Sequence, residues 1–192
     1  GMRTHTGVAS RMFGALAEHG INIAMINTSE VRVNVVVDGF TIRDAYNNNP
    51  NTEDFGGGIF CEQASKLTVR NCFIRKNAAF GGGAGMYVSG NHFDIVFTQF
   101  IDNETEFRGA ALRAALPGND CNVYNTIFKN NIADGKGGSF YFENFDNDAW
   151  ARFMNVLFQG NGATLGGAGF LAESTSVTEQ ARAELVSCTF TT

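Results

Sequence analysis

Repetition constrains this chain before any local motif does. One phrase returns as GFTIRDA (39–45), NCFIRKN (71–77), FTQFIDN (97–103), NTIFKNN (125–131), NVLFQGN (155–161) and a shortened SCTFTT (187–192). Its large apolar position falls at Ile42, Ile74, Phe100, Phe128, Phe158 and Phe190, at spacings of 32, 26, 28, 30 and 32. A second phrase interleaves with it: GGGIF (56–60), GGAGMYV (82–88), RGAALRA (108–114), KGGSFYF (136–142) and GGAGFLA (166–172). Two phrases sharing one period of about 28 residues describe a unit that cannot bury its apolar face alone and must stack on its copies.

Residue types within the unit choose the kind of stack. Short runs rich in Val, Ile and Phe alternate with Gly and Asn, and after residue 20 no stretch carries a capped stripe of helical period. The fold expected is therefore mainly β: a parallel β-helix of about five coils, preceded by a short N-terminal α/β segment. In such a stack Val35, Leu67, Phe93, Cys121, Ala151 and Ala183 form one inward column. Val37, Val69, Ile95, Val123, Phe153 and Leu185 form a second, and the Ile42 to Phe190 series a third. Asn71, Asn125 and Asn155 are expected at a bend, where Asn tolerates a left-handed backbone and can bond its copy one coil away. Gly56, Gly83, Gly109, Gly137 and Gly167 are expected at another corner.

A change of composition near Asp38 divides the chain into residues 1–38 and 39–192. The first stretch holds one of the 18 Phe and no Lys or Cys. Thr6 can cap a helix carrying Val8, Met12, Phe13 and Leu16, with Gly20 at its C-terminal end, and INIAMI and VRVNVVV then alternate as strands. Val35 and Val37 fall in register with Leu67 and Val69, so the second of these strands can serve as the first rung. The helix can then cover that end of the stack. The opposite end, closing on Thr192 within a strand phrase, is expected to leave an edge through which the chain self-associates.

Two family resemblances attach to these parts. FxxN (Phe100 to Asn103, Phe128 to Asn131, Phe158 to Asn161) alternating with GGAx-like phrases (Gly56 to Ile59, Gly82 to Gly85, Gly166 to Gly169) resembles the polymorphic outer membrane protein repeat. That repeat is a branch of the right-handed parallel β-helix, pectin-lyase-like proteins. The resemblance covers 39–192 and implies a secreted or surface-exposed adhesive passenger, with a polysaccharide or a host-surface molecule as partner. Residues 1–38, through GMRTH, GVASRMF and NTSEVRV, resemble part of the C-terminal ACT module of aspartokinase. This implies an effector site drawn from Met2, His5, Thr28, Ser29 and Glu30, sensing lysine or threonine in the cytoplasm. The chain departs from the ACT order before the second helix and last strand, so those residues also read as a polar hairpin turn and an exposed loop histidine. The whole reads as a chimera.

Chemistry is sparse. A net charge of −5 with 17% charged residues excludes a protein that wraps nucleic acid phosphates. No apolar run approaches the roughly 20 residues that span a bilayer. The four cysteines form no CxxC pair, and Cys72 and Cys188 share a column as small apolar residues. DGKGGS (134–139) lacks the hydroxyl a phosphate loop needs after its Lys and reads as a turn. The three His are scattered and the acids lie mainly in loops, including Asp102, Glu104 and Glu106, without repeating in a column. No catalytic, metal or cofactor residue is assigned.

The sharpest functional expectation is an outward column, Phe60, Tyr87, Arg113, Tyr141 and Leu171, that can pave a glycan track at the ~4.8 Å rung spacing; strand propensity alone accounts for the same aromatics. A second outward column, Arg43, Arg75, Ile101, Lys129 and Gln159, reads as a solvated face or a site for an acidic glycan. The leading reading is a non-catalytic binding or adhesion module of the cell surface, with an aspartokinase regulatory fragment and a pectate-lyase-like enzyme as alternatives.

Overall fold

A computed structural model of the protein describes residues 26–29, 32–47, 55–62, 66–90, 92–115, 120–144, 150–174 and 182–192. Each repeat unit contributes one strand to each of four faces. The first face stacks Arg32–Asp38, Lys66–Arg70, His92–Val96, Cys121–Tyr124, Trp150–Met154 and Arg182–Val186. The second stacks Thr41–Arg43, Phe73–Arg75, Gln99–Ile101, Ile127–Lys129, Leu157–Gln159 and Thr189–Thr191. A third face is built of two-residue strands from Tyr46–Asn47 to Gly162–Ala163, and the fourth runs from Ile59–Glu62 to Phe170–Ser174. These two faces are five strands deep, which makes five complete four-strand coils, and all their pairings are parallel. The chain is a parallel β-solenoid, and every described strand after Arg32–Asp38 pairs with the equivalent strand of a neighbouring coil.

The bends explain why a short period suffices. Between the first and second faces Gly39, Asn71, Phe97, Asn125, Asn155 and Ser187 all take positive φ, and between the second and third so do Asp44, Lys76, Asp102, Asn130 and Gly160. A left-handed conformation costs a non-Gly residue roughly 1–2 kcal/mol. Rung contacts hold it in place: the amides of Asn71, Phe97 and Asn125 donate to the carbonyls of Val96, Tyr124 and Met154 at 3.0–3.1 Å. The hydrogen-bond ladder thus continues through the corner. At the fourth face the expected glycines carry the turn, with φ of 61° at Gly109, where an added Cβ would lie 2.5 Å from the Leu112 carbonyl.

Inside, like stacks on like. All three inward columns pair as expected, including Val35 with Leu67, Phe93 with Cys121 and Phe128 with Phe158. The rings of Phe100, Phe128, Phe158 and Phe190 succeed one another at 5.0, 5.2 and 4.6 Å in nearly parallel planes. A polar ladder runs beside them on the Asn that closes each FxxN. The Nδ2 of Asn77 donates to Oδ1 of Asn103, that of Asn103 to Asn131, and that of Asn131 to Asn161, at 2.9–3.0 Å. Each Oδ1 also accepts the backbone amide of the preceding Asn. The second Nδ2 proton goes to a carbonyl of the coil before, as from Asn103 to Ile74. The bend residues Asn125 and Asn155 bond each other too, at 2.7 Å, but in exposed positions.

At the N-terminal end β1 (Ile26–Ser29) pairs antiparallel with β2 (Arg32–Asp38), whose other edge pairs parallel with Lys66–Arg70. The strand of ACT-like sequence is therefore the first rung of the solenoid. The helix expected between Thr6 and Gly20 lies outside the described residues.

Phe128 is fully buried between Phe100 and Phe158. Phe128→Ala is expected to cost about 3–5 kcal/mol of unfolding free energy in urea titrations, through the cavity it leaves; a cost below about 1 kcal/mol would contradict the stacking.

Candidate functional site

The outward column of the fourth face is in register, Phe60 beside Tyr87, Arg113, Tyr141 and Leu171. It is not an open pavement. Phe60 is 53% exposed, whereas Tyr87 and Tyr141 are 5% and 1% exposed and the Arg113 side chain 11%. The cover comes from the corner that precedes each strand and from the outward residue two places further along it. Phe55 stacks on Tyr87 at 4.5 Å, the Arg113 guanidinium lies 4.3 Å from the Phe55 ring centre, and that of Arg108 lies 5.3 Å from the Tyr141 ring centre. Glu143 binds both guanidinium groups, receiving Arg108 at 2.9 Å and Arg113 at 2.8 Å. Glu173 receives Lys136 and the Tyr141 hydroxyl, each at 2.6 Å. Burial, reinforced by the Glu173 hydrogen bond, pushes the Tyr141 phenol well above its usual range. From Tyr87 to Tyr141 the face expected to carry a ligand is covered by an ion and ring network that binds successive coils to one another, and Phe60 at its first rung stays exposed.

Other candidates are placed as follows. Thr28 and Ser29 lie in β1 opposite Val33 and Arg32, and Met2, His5 and Glu30 lie outside the described residues. Arg43, Arg75, Ile101, Lys129 and Gln159 form one column of the second face, with the three basic residues exposed. Cys72 is buried and Cys188 half-buried, and burial pushes the Cys121 thiol up to about 12, so it carries no thiolate at neutral pH.

An opening exists instead on the third face, where Tyr46, Ala78, Glu104, Ile132 and Gly162 are successive rungs of one outward column. Ala78 stands between the much larger Tyr46 and Glu104, and its small side chain leaves a notch two rungs, about 9.6 Å, across. The resulting groove encloses about 200 Å³ and is lined by Tyr46, Ala78, Phe80, Glu104 and Glu106, with Ala79 and Thr105 below. Thr105 points inward and Glu104 outward on the strand, and Glu106, at the bend that follows, is exposed. Phe80, after the third-face strand of the second coil, is held by its amide, which donates to the Asn47 carbonyl of the first coil at 2.9 Å, and by an edge contact with Phe107 of the third at 5.1 Å. Tyr46 is 73% exposed. Sequence reasoning met Glu104 and Glu106 as loop acids and passed over Tyr46, because the groove joins unlike residues of three coils rather than a repeated one.

The network makes two measurable demands. Glu143 is 3% exposed between two cations, so Glu143→Ala leaves Arg113 buried without its counter-charge and is expected to cost about 3–5 kcal/mol in urea titrations. Arg108→Ala, at a residue 38% exposed, is expected to cost about 1 kcal/mol or less; equal losses would contradict this assignment. For Glu173, burial pushes the carboxyl up, but hydrogen bonds from Lys136 and Tyr141 and the charges of Lys136 and Arg108 hold it below its ordinary value. A lowered folded-state pKa contributes stability that is present above the unfolded value of about 4.3 and is lost as pH falls through the folded one. Glu173→Gln is therefore expected to flatten the acid limb of stability measured between about pH 3 and 6; an unchanged limb would contradict the pairing.

Comparison with known proteins separates the chain along the same lines. The ACT domain family model matches residues 1–48. An aspartokinase of Pseudomonas aeruginosa is 66% identical over 38 residues, 20% of this chain and 9% of the relative. That of Helicobacter pylori is 55% identical over 38 residues, with the same shares. The probable autotransporter YfaL of Escherichia coli is 30% identical over 147 residues, 76% of this chain and 9% of the relative. The chain thus spans 9% of the length of each of these curated relatives. No solved structure matches it significantly. The chain joins a stretch similar to the ACT region of aspartokinases to parallel β-solenoid coils similar to part of an autotransporter.

Proposed function

We propose that the chain is a glycan-binding segment of a surface-exposed β-solenoid, acting by adhesion and not by catalysis. The observation that carries this reading is the third-face groove, which sets Tyr46 and Phe80 beside Glu104 and Glu106 on a frame stiffened by rung hydrogen bonds. Aromatic faces pack against the apolar face of a sugar ring while carboxylates accept its hydroxyls, and a frame already ordered loses little entropy on binding. The likeness to an autotransporter over 76% of the chain supports placement at the cell surface. The glycan site moves in this reading from the fourth face, which is covered, to the third, which is open.

A second reading rests on the ACT family match over residues 1–48: an effector site for lysine or threonine, drawn from Met2, His5, Thr28, Ser29 and Glu30. Calorimetric titration with the two amino acids separates it from the first.

A panel of neutral, acidic and amino oligosaccharides titrated calorimetrically into the full chain tests the glycan reading. At least one class is expected to bind, and Tyr46→Ala or Phe80→Ala to weaken it by up to about tenfold, the worth of one ring contact. Binding that survives loss of both rings would place the ligand elsewhere on the solenoid.

A further inference from the structure

Five acidic residues of the described faces are compensated by a base on a neighbouring rung, and the two acids that border the groove are not. Asp38 pairs with Arg70, Asp94 with Lys66, Glu143 with Arg108 and Arg113, Glu173 with Lys136, and Glu184 with Arg152, each base lying on a neighbouring coil. Glu104 has Ala78 and Ile132 as its rung neighbours, and neither can supply a cation. Among the described residues neither Glu104 nor Glu106 has an ion pair or a side-chain hydrogen bond, and no basic side chain lines the groove. Two exposed carboxylates two residues apart, one on the strand Glu104–Thr105 and one at the bend that follows it, repel one another until a cation lies between them.

Resting on the glycan reading above, we infer that the groove takes a saccharide unit bearing a free, protonated amine. The ammonium lies between Glu104 and Glu106, and the ring packs over Ala78 against Tyr46 and Phe80. An ammonium beside an aromatic face gains cation–π attraction in addition to its ion pairs. A bare calcium ion is a poorer occupant, because it takes six to eight oxygen ligands and the walls here set only two carboxylates among methyl groups and rings. An acidic sugar is repelled by both carboxylates. N-acetylation would replace the ammonium by a neutral amide and leave both carboxylates uncompensated.

The test is calorimetric titration of the full chain, at a pH that keeps the amine protonated, with a glucosamine tetramer, an N-acetylglucosamine tetramer and tetralysine. The glucosamine tetramer is expected to bind at least tenfold more tightly than either of the others. The affinity should fall as salt is raised, and the double variant Glu104→Gln, Glu106→Gln should lose at least tenfold without a change in melting temperature. Both substitutions are at exposed residues outside the ion network, and Tyr46→Ala provides an independent variant of the same wall. Equal binding of the N-acetylated tetramer would overturn the amine while leaving glycan binding intact. Equal binding of tetralysine would overturn the sugar. Binding of no saccharide would overturn this inference and the glycan reading together.

Discussion

Every feature of this molecule depends on the in-register parallel contact between one coil and the next. A rung spacing of about 4.8 Å lets a side chain meet its own counterpart, so identical residues in identical rotamers are mutual best neighbours. Phe100, Phe128 and Phe158 use that spacing as stacked rings, and Asn77, Asn103, Asn131 and Asn161 use it as a chain of amide hydrogen bonds. The buried amides add what the rings lack. An apolar stack is satisfied by any large residue in the column, but an Asn shifted by one place leaves donors and acceptors unpaired at a cost of about 1–3 kcal/mol each. The ladder therefore fixes the register, and register fixes which residues share a column.

Once columns are fixed, the inside and outside obey different rules. Inward columns must stay apolar or, in the Asn ladder, repeat the amide, because each residue's neighbours are the equivalent residues of adjacent coils. Outward columns are free to vary, and the two outer surfaces described here vary to opposite effect. On the fourth face Arg108 and Lys136 from one corner reach carboxylates one coil away and close over Tyr141, while Phe55 and Arg113 cover Tyr87. On the third face an Ala between two large residues leaves a space, and two acids without partners among the described residues border it. Function on this scaffold comes from departures from the repeat.

This division explains how much was legible in the sequence. The inward columns and the corner glycines could be read because they recur, and even the junction with the ACT-like stretch was visible, since Val35 and Val37 continue the alternation of Leu67 and Val69. The polar ladder was half legible. Asn71, Asn125 and Asn155 do take the left-handed bend, yet the buried ladder belongs to the Asn that ends FxxN, and no spacing says which of two recurrent Asn points inward. The outward aromatics were identified correctly as a column, but their cover was not, because Arg108 and Glu143 come from different coils and meet only after the corner folds back. The groove was invisible for a different reason: Tyr46, Ala78 and Glu104 keep the repeat spacing of 32 and 26, but a notch arises from their unlike side chains and not from a recurring one.

The direct test of this account is the behaviour of the ladder amides themselves. In a protein specifically labelled at asparagine, the side-chain NH2 protons of Asn103 and Asn131 should exchange slowly with water and show cross-relaxation with one another, as 2.9 Å contacts between buried neighbouring rungs require. Rapid exchange, or the absence of contact between the two side chains, would contradict a register held by buried asparagine and with it the assignment of every outward column.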